Sequence, residues 1–311
     1  MSAAMLRGAP IASRLREEIR LSSIRLSDRG GSRPVLATIL VGSHPAAEAY
    51  RTSIERTMTR VGITHHPVDL PEETSEEQFI ERLDRLNHDR ETTGILTLMP
   101  LPAHLDPHIV LERLSPLKDV DGITPTNAGR LHLGLPSLRP STPQGGLEIL
   151  DYHQIALRGL EAVVIGRSNV VGRPLATMLT QRDATVTLCH RQTRSLADVT
   201  RRADLVALGA GAPGLLTGDM IRPGAIVIDF GVNVVDGQIV GDVDRDSVEP
   251  LAGYLTPVPG GTGPVTTLVL ARNTIAAGFA ALSGDLDHVE LARDRFPRDA
   301  SIMERFVDAT R

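Results

Sequence analysis

The sequence predicts a two-domain α/β protein built on parallel sheets, and three observations carry that prediction. The chain has 311 residues, 41% hydrophobic and 23% charged, which is enough for two cores at an ordinary globular composition. Short apolar runs alternate with helical patterns, and such alternation implies parallel strands joined by helical crossovers. The alternation runs in two series, separated by residues 130–143, a stretch rich in Gly, Pro, Leu and Ser that reads as a hinge. The expected division is 1–138 for a first domain, rejoined by a helix at about 265–282. A second domain then covers 139–264, and 283–311 form a charged extension.

Taken in order, Ile11, Leu15, Ile19 and Leu21 are spaced for an amphipathic helix. Glu17 and Glu18 among the arginines argue against a transit peptide. Val35–Val41 reads as a buried strand ending at Gly42, then a Ser43-His44-Pro45 turn and a helix from about 46 to 61. Gly62 and Ile63 lead into a second strand. Thr74 with Glu77 suggests a capping box before a stripe of Phe79, Ile80, Leu83 and Leu86. Residues 94–99 form a third buried strand, stopped by Pro100-Leu101-Pro102. In the second series the strands are 162–165, Thr185–Cys189, Leu205–Leu208 and 225–229. Residues 254–264 are too dense in Pro and Gly for regular structure. A helix follows at about 265–282, and Ile302, Met303, Phe306 and Val307 fall at helical spacing in the charged tail.

Composition excludes several classes. A net charge of −5 gives no electrostatic case for nucleic acid or an anionic membrane. No tryptophan and 3% aromatics leave no platform for stacking single-stranded bases. No apolar run reaches the length of a membrane span. The single cysteine, Cys189, rules out an internal disulfide or cysteine cluster and suits a reducing cytosol, so a cytoplasmic protein is expected. His65, His66, His104 and His108 lack a ligand-like pattern of carboxylates and read as surface or loop residues, so no metal is expected.

The stretch from Glu161 to Pro174 is an apolar strand, a break at Gly166 and the start of a helix, the unit that seats a dinucleotide pyrophosphate on a helix N-terminus. Gly166 and Gly172 stand five residues apart, unlike the common G-x-G-x-x-G, and the pattern alone equally describes an ordinary βα turn. The next strand, Thr185–Cys189, ends in His190-Arg191-Gln192-Thr193-Arg194. No carboxylate is there to accept from a ribose diol. Arg167, Arg173, Arg191 and Arg194 surround the predicted cleft, which favours the 2′-phosphate of NADP over NAD.

These segments resemble the bifunctional methylenetetrahydrofolate dehydrogenase/methenyltetrahydrofolate cyclohydrolase family of one-carbon metabolism. The likeness rests on Val41-Gly42 with Pro45-Ala46 and Tyr50, on Pro100-Leu101-Pro102, and on Lys118-Asp119-Val120-Asp121-Gly122. It continues through Asn127-Ala128-Gly129-Arg130-Leu131, Ser141-Thr142-Pro143, Gly166-Arg167-Ser168 with Val171-Gly172, and Asp229 with Gly231-Val232-Asn233. Gly241-Asp242-Val243 and Pro257-Val258-Pro259-Gly260-Gly261 with Gly263-Pro264 complete it, in the family's order over residues 7 to about 282. The resemblance implies an N-terminal α/β catalytic domain and a Rossmann-like NADP-binding domain, commonly assembled as a homodimer, with a tetrahydrofolate derivative bound in the cleft between them. It implies that Tyr50 packs on the aminobenzoyl ring, that Asp121 hydrogen-bonds the pterin, and that Pro259, Gly260, Gly261 and Pro264 belong to a loop closing over the substrate. Gly166, Arg167, Ser168, Gly172, Arg173, Arg191, Thr193 and Val232 would serve the nucleotide.

The sequence departs from the family at two positions. The family's Tyr-x-x-x-Lys becomes Tyr50-Arg51-Thr52-Ser53-Ile54, and the glutamine that partners this lysine becomes Leu98. Replacing both polar partners leaves an apolar pair that can pack, whereas replacing one would strand a buried polar group. Ring opening needs a positioned proton carrier, which Ile54 is not. Hydride removal from the methylene bridge releases no proton, so positioning can suffice. The expectation is a dehydrogenase with weak or absent cyclohydrolase activity. The alternatives are a specialised paralogue acting on another one-carbon adduct or imine, and a non-catalytic folate- or NADP-binding protein.

Overall fold

The computed structural model describes residues 2–289. In chain order the elements are β1 (Ala4–Met5), α1 (Gly8–Asp28), β2 (Val35–Val41), α2 (Pro45–Arg60), β3 (Thr64–Leu70), α3 (Glu76–His88) and β4 (Gly94–Thr97). They continue with α4 (His108–Arg113), α5 (Pro125–His132), α6 (Ser141–Tyr152), β5 (Glu161–Ile165), α7 (Gly172–Thr180), β6 (Thr185–Cys189), α8 (Leu196–Thr200) and β7 (Leu205–Leu208). The series ends with β8 (Ile226–Asp229), β9 (Asn233–Val235), β10 (Gln238–Val240), α9 (Arg245–Val248), β11 (Tyr254–Leu255) and α10 (Gly263–Ser283).

The first sheet is parallel, in the order β3-β2-β4. Alternate residues of its strands serve two cores, as the two-residue period of a strand requires. Ala37, Ile39, Val41 and Ile95 join Phe79, Leu83 and Leu86 of α3 on one face. Leu36, Leu40, Leu96 and Leu98 join α1, α2 and α10 on the other. The second sheet has the order β1-β11-β8-β7-β5-β6, and every neighbouring pair is parallel. From β5 the chain goes to β6 on one side and then to β7 on the other. Strand order therefore reverses at β5, which opens a crevice beyond the carboxyl ends of β5 and β7.

Helices α1, α6 and α10 pack together between the sheets. Arg272 of α10 is buried there, 2.6 Å from Glu148 of α6 and 3.3 Å from Glu18 of α1. Two opposing carboxylates hold its guanidinium charged against the opposite push of burial, so its pKa is raised. Contrary to the expectation that no segment is span-like, α10 is long and apolar enough to cross a membrane. It is almost wholly buried inside the protein, and it is a core helix.

Several local expectations are corrected. β1 is paired into the second sheet, through Ala4↔Tyr254 and Met5↔Leu255, although its residues fall within the stretch expected to form the first domain. The same pairing puts β11 inside the Pro/Gly-rich stretch expected to be all loop. The capping box sits one residue later than expected, at Ser75 and Gln78, where both reciprocal hydrogen bonds form. The hinge stretch contains the end of α5 and the start of α6, so the crossing itself is residues 133–140. His65, expected on the surface or in a loop, is a half-buried strand residue bonded to Thr38 Oγ1 at 2.8 Å, whereas His104 is an exposed turn residue as expected, within reach of the Thr74 carbonyl. The expected helical spacing of residues 302–307 lies outside the described residues.

Candidate functional site

The cluster around Tyr50 and Asp121 is built on a loop that Asp119 organises. Its buried carboxylate accepts from Ile123 N, Thr124 N, Thr124 Oγ1 and Asn127 Nδ2 at 2.7–3.1 Å. Gly122 turns with φ +62°, and a side chain there would lie 2.5 Å from the Leu138 carbonyl oxygen. This turn aims Asp121 at the first residue of α6, where Ser141 Oγ donates to its Oδ1 at 3.2 Å. Burial and the nearby charge of Asp119 raise the Asp121 pKa to about 7, against hydrogen bonds from Ser141 that lower it. Tyr50 of α2 faces the same spot. Burial and the Asp121 charge raise its phenol pKa, and a hydrogen bond with Ser141 opposes them. The structure therefore brings Tyr50 and Asp121 together, with Ser141 between them. Ser141 stands in the Ser-Thr-Pro motif, which was the only sequence signal for it.

One turn beyond Tyr50, Ile54 is 0% exposed, and Leu98, just past the end of β4, is 2% exposed. Both belong to one apolar cluster, against which Tyr50 packs. Arg51 pairs with Asp69 of β3 and Arg56 is exposed, so neither cation occupies the Tyr50–Ile54 face.

The Gly- and Pro-rich segment before α10 is tied at both ends to the backbone of Asp229. Asp229 N donates to Thr256 Oγ1 at 2.7 Å, and Thr262 Oγ1 donates to the Asp229 carbonyl oxygen at 3.3 Å. The N–H of Gly8, at the start of α1, donates to the Gly260 carbonyl at 2.9 Å. Within this loop Gly261 is buried, while Pro259 and Gly260 are exposed; Pro264, expected in the loop, is instead an exposed residue of the first turn of α10.

A cleft of about 470 Å³ lies beyond β5 and β7, lined by Gly166, Arg167, Ser168, Arg191 and Thr193 on one wall and by Gly209, Ala210 and Ala212 on the other. Gly172 lies beneath it. A Cβ at that position would come within 1.9 Å of the Gly166 carbonyl oxygen, which is why the five-residue gap ends in glycine. Ser168 Oγ accepts from Val171 N at 3.1 Å and shapes the turn. Three expected nucleotide residues, Gly172, Arg173 and Val232, are not among those lining the cleft. Arg173 bonds Asn169 on the exposed side of α7, and Val232 is 69% exposed on the approach to β9. Sequence reasoning assigned no role to Asp229 or Asp242, although both stand in quoted motifs. Asp242 accepts the N–H groups of Ala210, Gly211 and Ala212, and Asp229 accepts those of Gly231, Asp242 and Val243. Burial is the main cause of the Asp229 pKa rising to about 6.

A doubly wound parallel sheet, a glycine turn feeding a helix N-terminus at the strand-order reversal, and a second α/β unit carrying a Tyr–Ser–Asp cluster define a two-domain α/β protein with a Rossmann-like dinucleotide-binding domain. The chain belongs to the tetrahydrofolate dehydrogenase/cyclohydrolase family, whose catalytic domain matches residues 6–121 and whose NAD(P)-binding domain matches residues 140–281. It is 46% identical over 284 residues to the bifunctional protein FolD of Roseiflexus sp. (strain RS-1), covering 91% of this chain and 99% of that one. With FolD of Chloroflexus aurantiacus the identity is 48% over 278 residues, 89% of this chain and 98% of the relative. The FolD crystal structure from Campylobacter jejuni superposes with a TM-score of 0.85 at 40% identity, over 89% of this chain and 99% of that chain. The Trypanosoma brucei FolD, complexed with NADP cofactor and inhibitor, gives 0.84 at 34% identity over 89% and 98%.

Proposed function

We propose that this chain is an NADP-dependent 5,10-methylenetetrahydrofolate dehydrogenase that forms 5,10-methenyltetrahydrofolate and has weak or absent cyclohydrolase activity. The observation that carries it is the burial of Ile54, one helical turn from Tyr50, and of Leu98 in the apolar core. Hydrolysis of the methenyl carbon requires water to enter and protons to move to and from nitrogen. Tyr50 is pushed away from neutral titration, and Arg51 is engaged with Asp69. Asp121, raised to about 7, is assigned to the pterin.

NADP, when bound, supplies the nicotinamide that takes up the hydride. The residues present fit such a group. The glycine turn leaves a cradle that a Cβ would fill, Arg167 and Arg191 line the cleft, and no carboxylate follows β6 before Leu196. Tyr50, Ser141 and Asp121 hold the folate, and the apolar pair at 54 and 98 keeps water from the methenyl carbon. The reading takes the protein to be a cytoplasmic homodimer, for which sedimentation should return twice the chain mass.

The test supplies both half-reactions separately. Methylenetetrahydrofolate with NADP should give NADPH, while methenyltetrahydrofolate should decay no faster than in buffer. Protein-accelerated decay at the rate of lysine-bearing relatives refutes the missing half. Tight folate binding without NADP reduction refutes the dehydrogenase.

A further inference from the structure

We infer that Asp242 is a positioning residue that sets the wall of the nucleotide cleft opposite the glycine turn. The inference rests on the cleft being the nucleotide site. After β7 the chain runs through Gly209-Ala210-Gly211-Ala212, with Gly211 at φ +64°. Successive N–H groups converging from such a turn form an anion cradle. Here the anion is internal. Asp242 Oδ2 accepts from Ala210 N at 2.6 Å and Gly211 N at 3.0 Å, and Oδ1 accepts from Ala212 N at 2.9 Å. Asn233 Nδ2 adds a fourth bond, to Oδ1, at 2.9 Å. Asp242 is fully buried, and its own N–H donates to Asp229 Oδ1 at 3.1 Å.

Two consequences follow from that geometry. The three N–H groups are consumed by a carboxylate, so a phosphate is left with the turn at Gly166 and the start of α7. The 209–212 wall is also shaped before any nucleotide arrives, and preorganisation of this kind lowers the cost of binding. Gly231 and Gly241 make room for the arrangement. A Cβ at 231 would lie 2.5 Å from the Asp242 carboxyl, and one at 241 would lie 1.9 Å from Asp229 Oδ2. A purely architectural Asp242 would affect both substrates alike. A positioning Asp242 affects the nucleotide alone.

The experiment measures NADP and NAD affinity by calorimetry, together with KM for methylenetetrahydrofolate, in the full chain and in Asp242→Asn and Asn233→Ala. Asp242→Asn should weaken both nucleotides about tenfold, the size expected for losing one charge-assisted bond, and leave the folate KM within about twofold. Asn233→Ala removes only the fourth bond and should weaken both nucleotides by about threefold. If Asp242→Asn does not fold, Asn233→Ala decides alone. Unchanged nucleotide affinity in the variants that fold, or a folate KM rising in step with it, overturns the inference. A wild-type chain that binds neither nucleotide overturns the cleft assignment and the inference with it.

Discussion

Replacing Ile54 by lysine and Leu98 by glutamine, singly and together, probes whether the two apolar residues have closed one polar site. Ile54 is 0% exposed inside an apolar cluster. Ile54→Lys would therefore bury an ammonium with no partner, at a cost of about 3–5 kcal/mol or a strongly depressed lysine pKa. Leu98→Gln would exchange packing for a buried amide, costing about 2–4 kcal/mol. If the positions face each other, the glutamine carbonyl accepts from the lysine, and the double variant is about 1–3 kcal/mol more stable than the sum of the singles predicts. At roughly 2–4 °C per kcal/mol, a single variant should melt about 10 °C below the wild type, and the double variant should recover part of the loss of both. Calorimetry of the four proteins gives the coupling, and the absorbance decay of methenyltetrahydrofolate gives the activity. Hydrolysis should emerge in the double variant alone. Additive destabilisation would show that residues 54 and 98 do not meet, and rapid hydrolysis by the wild type would refute the chemical reasoning outright.

Three further outcomes are expected. Gly172→Ala drives a Cβ to 1.9 Å from the Gly166 carbonyl and should abolish nucleotide binding in calorimetry while folate still binds. Asp121 is raised from its ordinary 3.8 to about 7, so its contribution is fully present below pH 4 and is lost as pH rises through 7. That contribution is at most about 4 kcal/mol; urea midpoints at pH 5 and pH 8 should diverge more in the wild type than in Asp121→Asn, and equal divergence contradicts the assignment. Arg191→Ser removes a cation lining the cleft and should raise KM for NADP about tenfold or more, leaving that for NAD within about twofold.

Legibility in the sequence followed the strength of local signals. β2, β6 and β7 were read at their observed bounds, because each is a short run of apolar or β-branched residues closed by Gly or turn residues. Phe79, Leu83 and Leu86 proved buried on α3 as their spacing required, while its cap moved by one residue because Ser75 and Thr74 offer the same chemistry. β1 and β11 are two residues each and carry no periodicity. Only their long-range pairing defines them, and a sequence pattern cannot show it. At the site, Tyr50, Asp121 and the Gly166 turn were legible through motif and resemblance. Ser141, Asp229 and Asp242 were not, because a serine or aspartate beside Gly or Pro reads as a turn former until its hydrogen-bond partners are placed in space.

The pairing of β1 with β11 also bears on the order in which the protein can be assembled. Ala4 and Met5 must wait for Tyr254 and Leu255, some 250 residues further along, before they can join a sheet. Contacts of that sequence separation are slow to close. During synthesis β1 has no strand to meet until β11 has emerged, so the larger sheet cannot be completed piece by piece from the N-terminus. Because α1 follows β1 directly and bonds the Gly260 carbonyl, the same late event sets the Gly- and Pro-rich loop before α10. Docking of the first strand thus becomes the step at which a nascent chain fixes that loop against α1.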